Sequence, residues 1–592
     1  MPSDTHPTQG VPPQPSLANK NTNEDKNVGA DSAVFGEGRF QLRVLFGTVV
    51  AGAIALVQSN LFRLLTREMD HWCGQPPAFF ELSVEAWKQL AIPHDAHGNY
   101  SRCMVRNPPE GGASVQVVHC SEWDFNLSEY GNNVVSEWSL VCHCSYLKDI
   151  AASVNFVTAV VALPVIGAAA DRIGRKTVTV VQLVALLLSL ACSGLARDFS
   201  TFAATQAVVA ATSRSNFVLY VILYEVTAPS RRILYTSAAA AFSAIFVPVF
   251  VFMLDNFKIS WYWSLLIFAA LSSVLLATFY FLEESPVWLL ETHRTEQAED
   301  AVVKAASVNA LSPSKTRELF RKELLSMERS QHATTREHAA SSIFAPVLRK
   351  RSVLLAFSWV VIAAVRGHYT EERGIQVNRY TRIGSSIGLI PMFIAILPFL
   401  QRGRFLKEVV AASTLLCSTA CAFIFLHFDG ELTSLGNVLM VIVRLSINVA
   451  VAILFYLSAS LYPPRARGFG LGTCFAFAVI GNIGDFYLFS NALANREGIG
   501  LGIMAFLLAL ASVAVENLPS SAPGRFETRT IFLESARMKE SLRQLDNYRQ
   551  ETQAKTVVRH ESPTPGNSEN RRLFLQPSPT QPSPSAKKRT KL

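Results

Sequence analysis

The chain has 592 residues, of which 50% are hydrophobic and only 17% are charged, and its formal net charge is +9 at pH 7. A soluble globular protein carries about 25% charged residues, so this composition excludes an ordinary soluble domain. The apolar residues are gathered in blocks long enough to cross a bilayer, which indicates a polytopic membrane protein. We attribute the excess of basic residues to the loops between these blocks, and we predict no binding of nucleic acid.

Residues 1–40 are polar and rich in Pro, Asn and Asp, which predicts a disordered tail. No cleavable signal peptide is visible there, so we expect the first apolar block to act as the insertion signal. About twelve apolar blocks follow in two groups, at 41–282 and 352–517, and they predict an all-α fold of about 12 transmembrane helices in two six-helix halves. The blocks centre near Ala53, Val160, Leu187, Val208, Ala244, Ser272, Ile394, Cys417, Val449, Ala478 and Leu507, and a shorter one begins at Val353.

Residues 63–148 carry too many charges and prolines to lie in lipid. The segment holds five of the nine cysteines and two glycosylation acceptors, at Asn99 and Asn126, so we predict an extracellular loop held by disulfides. Five cysteines cannot all pair within one loop, and the sequence leaves their connectivity open. The candidate disulfide residues are Cys73, Cys103, Cys120, Cys142 and Cys144.

The short loops between the apolar blocks place their Lys and Arg residues on one side of the membrane. This asymmetry predicts that both termini are cytoplasmic. The charged residues 283–351 are then a cytoplasmic linker between the halves, and the Pro- and Ser-rich residues 518–592 are a second disordered tail. The final residues, 590–592, fit a C-terminal ligand of a PDZ-type scaffold. The neighbouring basic run, 587–589, is more simply a solvated or lipid-facing tail than a nuclear signal.

Six spans, a cytoplasmic linker and six further spans are typical of a transporter whose halves move around a central cavity. Three segments narrow this interpretation: the glycine- and charge-rich turn 167–176, Glu284-Ser285-Pro286 after the sixth span, and Leu461-Tyr462-Pro463-Pro464 with Arg467. With the cysteine-rich loop, they resemble the major facilitator superfamily, in particular its organic cation, organic anion and carnitine transporter family. The resemblance covers about residues 40–516.

The resemblance implies a latch that forms and breaks during transport. Asp171 would accept hydrogen bonds from helix-end amides, while Arg172 and Arg175 would reach acidic or carbonyl partners. For Arg444 we favour gating or pairing, with Glu225 or another acid as partner. The candidate gating residues are Gly167, Asp171, Arg172, Gly174, Arg175, Lys176, Glu225, Arg232, Glu284, Arg444 and Arg467.

The candidate substrate-binding residues combine charges inside spans with aromatic and amide groups. Arg214 either lines the path or pairs with a buried acid, and Arg366 either faces substrate or marks a helix end. Asp485 could replace a missing acid or be solvated at a loop end, and the uncharged candidates could serve helix packing alone. The full set is Arg214, Tyr220, Trp359, Arg366, Asn448, Tyr456 and Asp485.

The chain departs from the family where charge is selected. By spacing, two positions that are acidic in the family's cation carriers fall on Leu389 and Val479, and Ser460 stands where the family has Glu.

We expect a plasma-membrane carrier of small organic ions or zwitterions that works by alternating access, with a preference for anions, zwitterions or neutral solutes. The alternative is a receptor or scaffold that keeps the fold without transport. No catalytic motif, cofactor site or metal site is visible, so we do not expect an enzyme.

Overall fold

The computed structural model describes residues 36–95, 98–109, 115–229, 231–330, 346–370, 384, 387–402, 405–426, 434–487 and 497–518. These residues include most of both predicted groups of membrane spans and most of the linker. Both predicted tails lie almost wholly outside them, as does the predicted C-terminal ligand at 590–592.

The described part of the first half forms ten α-helices. The long ones coincide with the first six predicted spans, the fourth of which is divided into two consecutive helices. Their bounds are α1 Arg39–Leu65, α2 Val84–Ala91, α3 Leu127–Tyr130, α4 Val134–Glu137, α5 Tyr146–Ile173, α6 Arg175–Gly194, α7 Phe199–Arg214, α8 Phe217–Val226, α9 Arg232–Phe257 and α10 Trp261–Phe281.

The linker and the second half form nine helices within the described residues. They are α11 Pro286–Glu291, α12 Thr295–Val308, α13 Pro313–Ser330, α14 Pro346–Thr370, α15 Leu389–Arg402, α16 Leu406–Leu426, α17 Ser434–Leu461, α18 Arg467–Gly484 and α19 Glu497–Glu516. Nine helical segments of the described chain are long and apolar enough to cross a membrane. Three more helices, α10, α14 and α15, coincide with the remaining predicted spans, so the predicted all-α class is confirmed.

Local sequence explains where several helices begin. Asp198 caps α7, because its carboxylate accepts a hydrogen bond from the Thr201 amide (2.8 Å). Ser285 caps α11 through the Trp288 amide (3.3 Å), and Pro286 occupies the first helical position, where its missing N–H costs nothing. Gly174 separates α5 from α6 at a φ of 125°, a backbone conformation that favours glycine.

The predicted loop folds between α1 and α5. Strands β1 (His71–Cys73) and β4 (Trp123–Phe125) pair antiparallel, as do β2 (Met104–Asn107) and β3 (Gln116–His119). Disulfides join Cys73 to Cys120 and Cys103 to Cys142. Cys144 is a free thiol, so its inclusion among the disulfide residues is corrected. Cys142, two residues away, pairs with Cys103, and no cysteine of the loop remains to pair with Cys144. Helix α1 runs to Leu65, two residues past the predicted start of the loop.

Two apolar cores divide the membrane part. One joins α1, α6, α7 and α10 with the linker helices, through residues such as Leu61, Phe202 and Ala301. The other joins the second-half helices to α5 and α8, through residues such as Leu163 and Trp359. Helices α5 and α8 therefore face the second half, and they bring first-half side chains to the interface between the halves.

Candidate functional site

At the interface, a buried carboxylate binds two arginines from different halves. Glu225 Oε1 lies 3.2 Å from Arg175 Nη2 and 2.7 Å from Arg467 Nη1. Its other oxygen accepts a hydrogen bond from Ser285 Oγ (2.5 Å). The three charged side chains are no more than 1% exposed, so they are removed from water and their interaction is only weakly screened. We call Asp171, Arg175, Glu225 and Arg467 the latch, and the end of the bundle that holds it the latch end.

Asp171 joins the halves in a second way. Its carboxylate accepts hydrogen bonds from the amides of Gly468 (3.0 Å) and Phe469 (2.8 Å) at the start of α18. Those amides have no partner inside the helix, and a carboxylate there is also favoured by the helix dipole. Asp171 Oδ1 lies 3.4 Å from Arg175 Nη2, which connects this cap to the Glu225 cluster.

The linker supports the latch from its own side. Glu284 accepts hydrogen bonds from the amides of Arg175 (3.0 Å) and Lys176 (3.1 Å) at the start of α6. Burial raises the pKa of the Glu284 carboxyl, while its hydrogen bonds to backbone amides oppose the shift. Glu291, which no sequence motif singled out, lies 2.5 Å from Arg465 Nε and so joins α11 to the second half.

The other gating candidates take different positions. Gly167 packs against Gly468 so closely that a Cβ would clash with the Gly468 carbonyl oxygen. Arg232 donates to the Thr227 carbonyl oxygen (2.9 Å) and lies over the Tyr224 ring. Arg172 is exposed. Arg444 lies on the wall of the cavity described below, and its role in gating or pairing stays a prediction.

A cavity of about 380 Å³ lies between the halves, away from the latch. Five aromatic side chains from both halves form part of its wall. Tyr220 stacks on Phe455 at 4.4 Å between ring centroids, and Phe217 stacks on Phe475 at 5.4 Å. Trp359 packs against Phe475 at 5.1 Å and donates from its indole to Ser458 Oγ (3.0 Å). Its ring can therefore face the cavity while its polar atom is satisfied.

Five arginines line the same cavity. Three of them, Arg214, Arg366 and Arg444, are candidates from the sequence, and Asn448 also lies on the wall. Arg63 and Arg67, which come from the end of α1, were missed because both fall where the chain was expected to leave the membrane. No Asp or Glu occurs among the described residues that line the cavity.

Leu389 and Val479, the positions assigned by spacing to the family's two acids, both lie on the cavity wall. Both positions thus place apolar side chains on the wall. The wall combines aromatic and apolar surface with positive charge.

Two substrate-site candidates lie elsewhere. Tyr456 turns toward the latch end, where its ring packs against Tyr224 at 5.8 Å. Asp485 is buried behind the wall and lies 3.1 Å from His368 Nδ1, so it is neither exposed to the cavity nor solvated at a loop end. In both cases a nearby residue lies on the wall instead. Phe455, next to Tyr456, and Asn482, three residues before Asp485, line the cavity.

The halves also meet at the end opposite the latch, beside the disulfide-bonded segment, which we call the loop end. Tyr487 OH lies 2.5 Å from Ser153 Oγ, and Phe156 packs edge to face on Phe486 at 5.9 Å. These contacts join α5 to the end of α18. The sequence carries no signal for them, since serine and aromatic residues at span ends are common.

Known proteins resemble the chain over most of its length. An organic cation transporter protein of Drosophila melanogaster is 23% identical over 464 residues, which cover 75% of this chain and 83% of that protein. Organic anion transporter 3 of Sus scrofa is 24% identical over 467 residues, which cover 76% and 82%. The solved structure of the proton:xylose symporter XylE from E. coli superposes with a TM-score of 0.53 at 11% identity, covering 83% of this chain and 98% of XylE, and so shares the fold.

The sequence profile of the Major Facilitator Superfamily matches residues 146–484, more than half of the chain. The match begins in α5, runs through the latch and the cavity helices, and ends at the last residue of α18. The predicted relationship is therefore confirmed: the chain belongs to the major facilitator superfamily, and it is a multi-pass membrane transporter.

Proposed function

We propose that this transporter carries small organic anions, bound in the cavity between its halves. The observation that carries the proposal is the charge of the wall: five arginines and no acidic residue among the described lining residues. A cation bound there would meet like charges in a medium that screens them poorly. Names of relatives do not decide the matter, because they include both a cation and an anion transporter.

The rest of the wall suits an organic body attached to the anionic group. Aromatic faces of Tyr220, Trp359 and Phe475 offer apolar contact, and Asn448 adds an amide. A volume of about 380 Å³ is within the range of small-ligand sites. An amphipathic anion, with an aromatic body and a carboxylate or sulfonate, matches both parts of the wall.

The latch supports transport by alternating access. It closes the latch end through contacts that cross between the halves, Glu225 with Arg467 and Asp171 with the first amides of α18, so opening that end requires these contacts to break together. We assign the latch end to the cytoplasm and the carrier to the plasma membrane, in line with the basic residues around the latch and the disulfide-bonded segment at the other end. The receptor alternative is not favoured, since the latch is intact and the relatives compared are transporters.

The test is uptake by the purified full chain in proteoliposomes. The probes are labelled naphthalene-2-sulfonate, tetraethylammonium and carnitine, an anion, a cation and a zwitterion. We expect saturable uptake of the sulfonate, and Arg214→Ala should reduce it at least about tenfold, because a hydrogen bond to a charged group contributes roughly 1.5–3 kcal/mol. Saturable uptake of tetraethylammonium without the sulfonate would contradict the proposal, as would a lack of flux for all three probes.

A further inference from the structure

We infer that Arg63 and Arg67 form an outer anion-binding subsite, which captures the substrate at the loop end before it reaches Arg214 and Arg444. The inference rests on the proposed function and adds a separate step to it. Both arginines line the cavity, and neither matches a motif by which the family was identified.

The two arginines lie at the cavity's outer end because α1 ends there. Arg63 is in the last turn of α1, and Arg67 follows its C-cap, Thr66. Both side chains line the cavity at this end, so one anion can contact both. Arg366, in the last turns of α14, lies at the same end but belongs to the second half. The outer charges thus come from both sides of the cleft.

The inner arginines lie much deeper. Arg444 is nearly three turns into α17 from its loop-end start, roughly 15 Å along the axis. Arg214 is the last residue of α7, a helix of 16 residues that starts at the loop end. It therefore lies roughly 22 Å along the helix axis from that start. An anion that enters from the loop end therefore meets Arg63 and Arg67 before it meets Arg214 or Arg444.

The disulfide-bonded segment holds the outer site in place. Asn133 is 5% exposed, and its Nδ2 donates to the Arg67 carbonyl oxygen (3.0 Å). The other amide atom is fixed as well, since Oδ1 accepts hydrogen bonds from the amides of Val135 (2.8 Å) and Ser136 (3.0 Å) at the start of α4. These hydrogen bonds fix the orientation of the Asn133 side-chain amide. They also attach the backbone of Arg67 to the folded loop.

Position separates the roles of the two sets of arginines. Charge at the mouth of a cleft with low-dielectric walls raises the local concentration of an oppositely charged ligand and speeds its association, and salt weakens this effect. Charge deep in the cavity stabilises the bound anion during the change of conformation. Loss of an outer arginine should therefore raise KM and leave the maximal rate almost unchanged, whereas loss of an inner one should affect both.

The experiment measures naphthalene-2-sulfonate uptake at low and high ionic strength for Arg63→Gln, Arg67→Gln and their lysine counterparts. The matched control is Arg197→Gln, an exposed arginine at the same end of the bundle that does not line the cavity. We expect each glutamine variant to raise KM about tenfold at low salt, with less effect at high salt, and each lysine variant to recover most of the loss. The control should match the unmodified protein.

The outcomes separate this inference from the proposed function. If the unmodified protein takes up the sulfonate and the glutamine variants have the KM of Arg197→Gln, the outer subsite is refuted and the anion carrier stands. A lower maximal rate at unchanged KM would also refute it, because it would assign the arginines to the conformational step. If the unmodified protein takes up no anion, both proposals fall. The lysine variants distinguish charge loss from misfolding, since only charge loss is recovered by lysine.

Discussion

At the scale of single residues, the latch depends on one carboxylate. Glu225 binds Arg175 and Arg467, which are 50 and 242 residues away in the chain. Burying three charges is costly unless they are paired, and since these side chains are no more than 1% exposed, each depends on the opposite charge beside it. A cluster of this kind favours one closed arrangement of the halves over partly open ones.

We expect Glu225→Gln to weaken the closed latch by about 3–5 kcal/mol, because two buried guanidinium groups lose their carboxylate. Uptake should fall, and the melting temperature of the detergent-solubilised protein should drop. Glu299→Gln is a matched control: Glu299 also contacts two arginines, but these are 47% and 48% exposed, and such a cluster contributes about 0–1 kcal/mol. Equal effects of the two changes would show that burial of the latch has no special role.

At the scale of elements, α5 and α18 form the closest contact between the halves. A Cβ on Gly468 would lie 2.6 Å from the Gly167 carbonyl oxygen and 2.7 Å from Asp171 Oδ1. A Cβ on Gly472 would clash with the Leu163 carbonyl oxygen. The absence of side chains lets the two backbones approach, and this approach brings Asp171 within hydrogen-bonding distance of the first amides of α18.

Gly468→Ala should therefore separate α5 from α18 at the latch end and cost the closed state about 1–3 kcal/mol, as overpacking does. We expect at least a fivefold loss of uptake with little change in total protein in the membrane. Gly484→Ala, on the same helix, provides the comparison, since no atom lies within 4 Å of the added methyl group. Unchanged uptake by the Gly468 variant would show that the two helices need not close this tightly.

At the scale of the whole molecule, the two ends of the bundle are joined by different chemistry. Buried ion pairs and a helix cap close the latch end, whereas a hydroxyl pair and an edge-to-face pair of aromatic rings join α5 to the residues just after α18 at the loop end. The cavity lies between these two ends. A carrier must break each set of contacts in turn, but a receptor could bind ligand without breaking either.

Asp171→Asn tests this difference. The amide cannot cap α18 with two acceptor oxygens, and it loses the charge that faces Arg175, so we expect uptake to fall at least about tenfold while naphthalene-2-sulfonate binding is retained. Asp149→Asn changes an exposed aspartate at the opposite end of α5 and should leave both unchanged. Parallel loss of uptake and binding would mean that Asp171 maintains the cavity and that the latch does not act as a gate.

The sequence alone determined the membrane spans, the disulfide-rich loop and the turn at 167–176, because hydrophobic length, cysteine content and glycine spacing are local properties of the chain. It also identified the residues of the latch, and the gating or pairing role assigned to Arg444, which lies on the cavity wall, stays a prediction. Glycosylation at Asn99, which is exposed, and at Asn126, whose side chain caps α3, stays a prediction.

Only the tertiary structure decided which side chains face the cavity. Phe455 lies on the wall, whereas its neighbour Tyr456 does not. Asn482 lies on the wall, whereas Asp485 does not. Arg63 and Arg67 line the cavity together with three arginines from distant helices. The rotation of a helix about its axis is set by its packing against neighbours, and a helix that is apolar all round carries little pattern to reveal it. The partners of Asp171 lie 297 and 298 residues away, so they are adjacent only after the two halves have packed together.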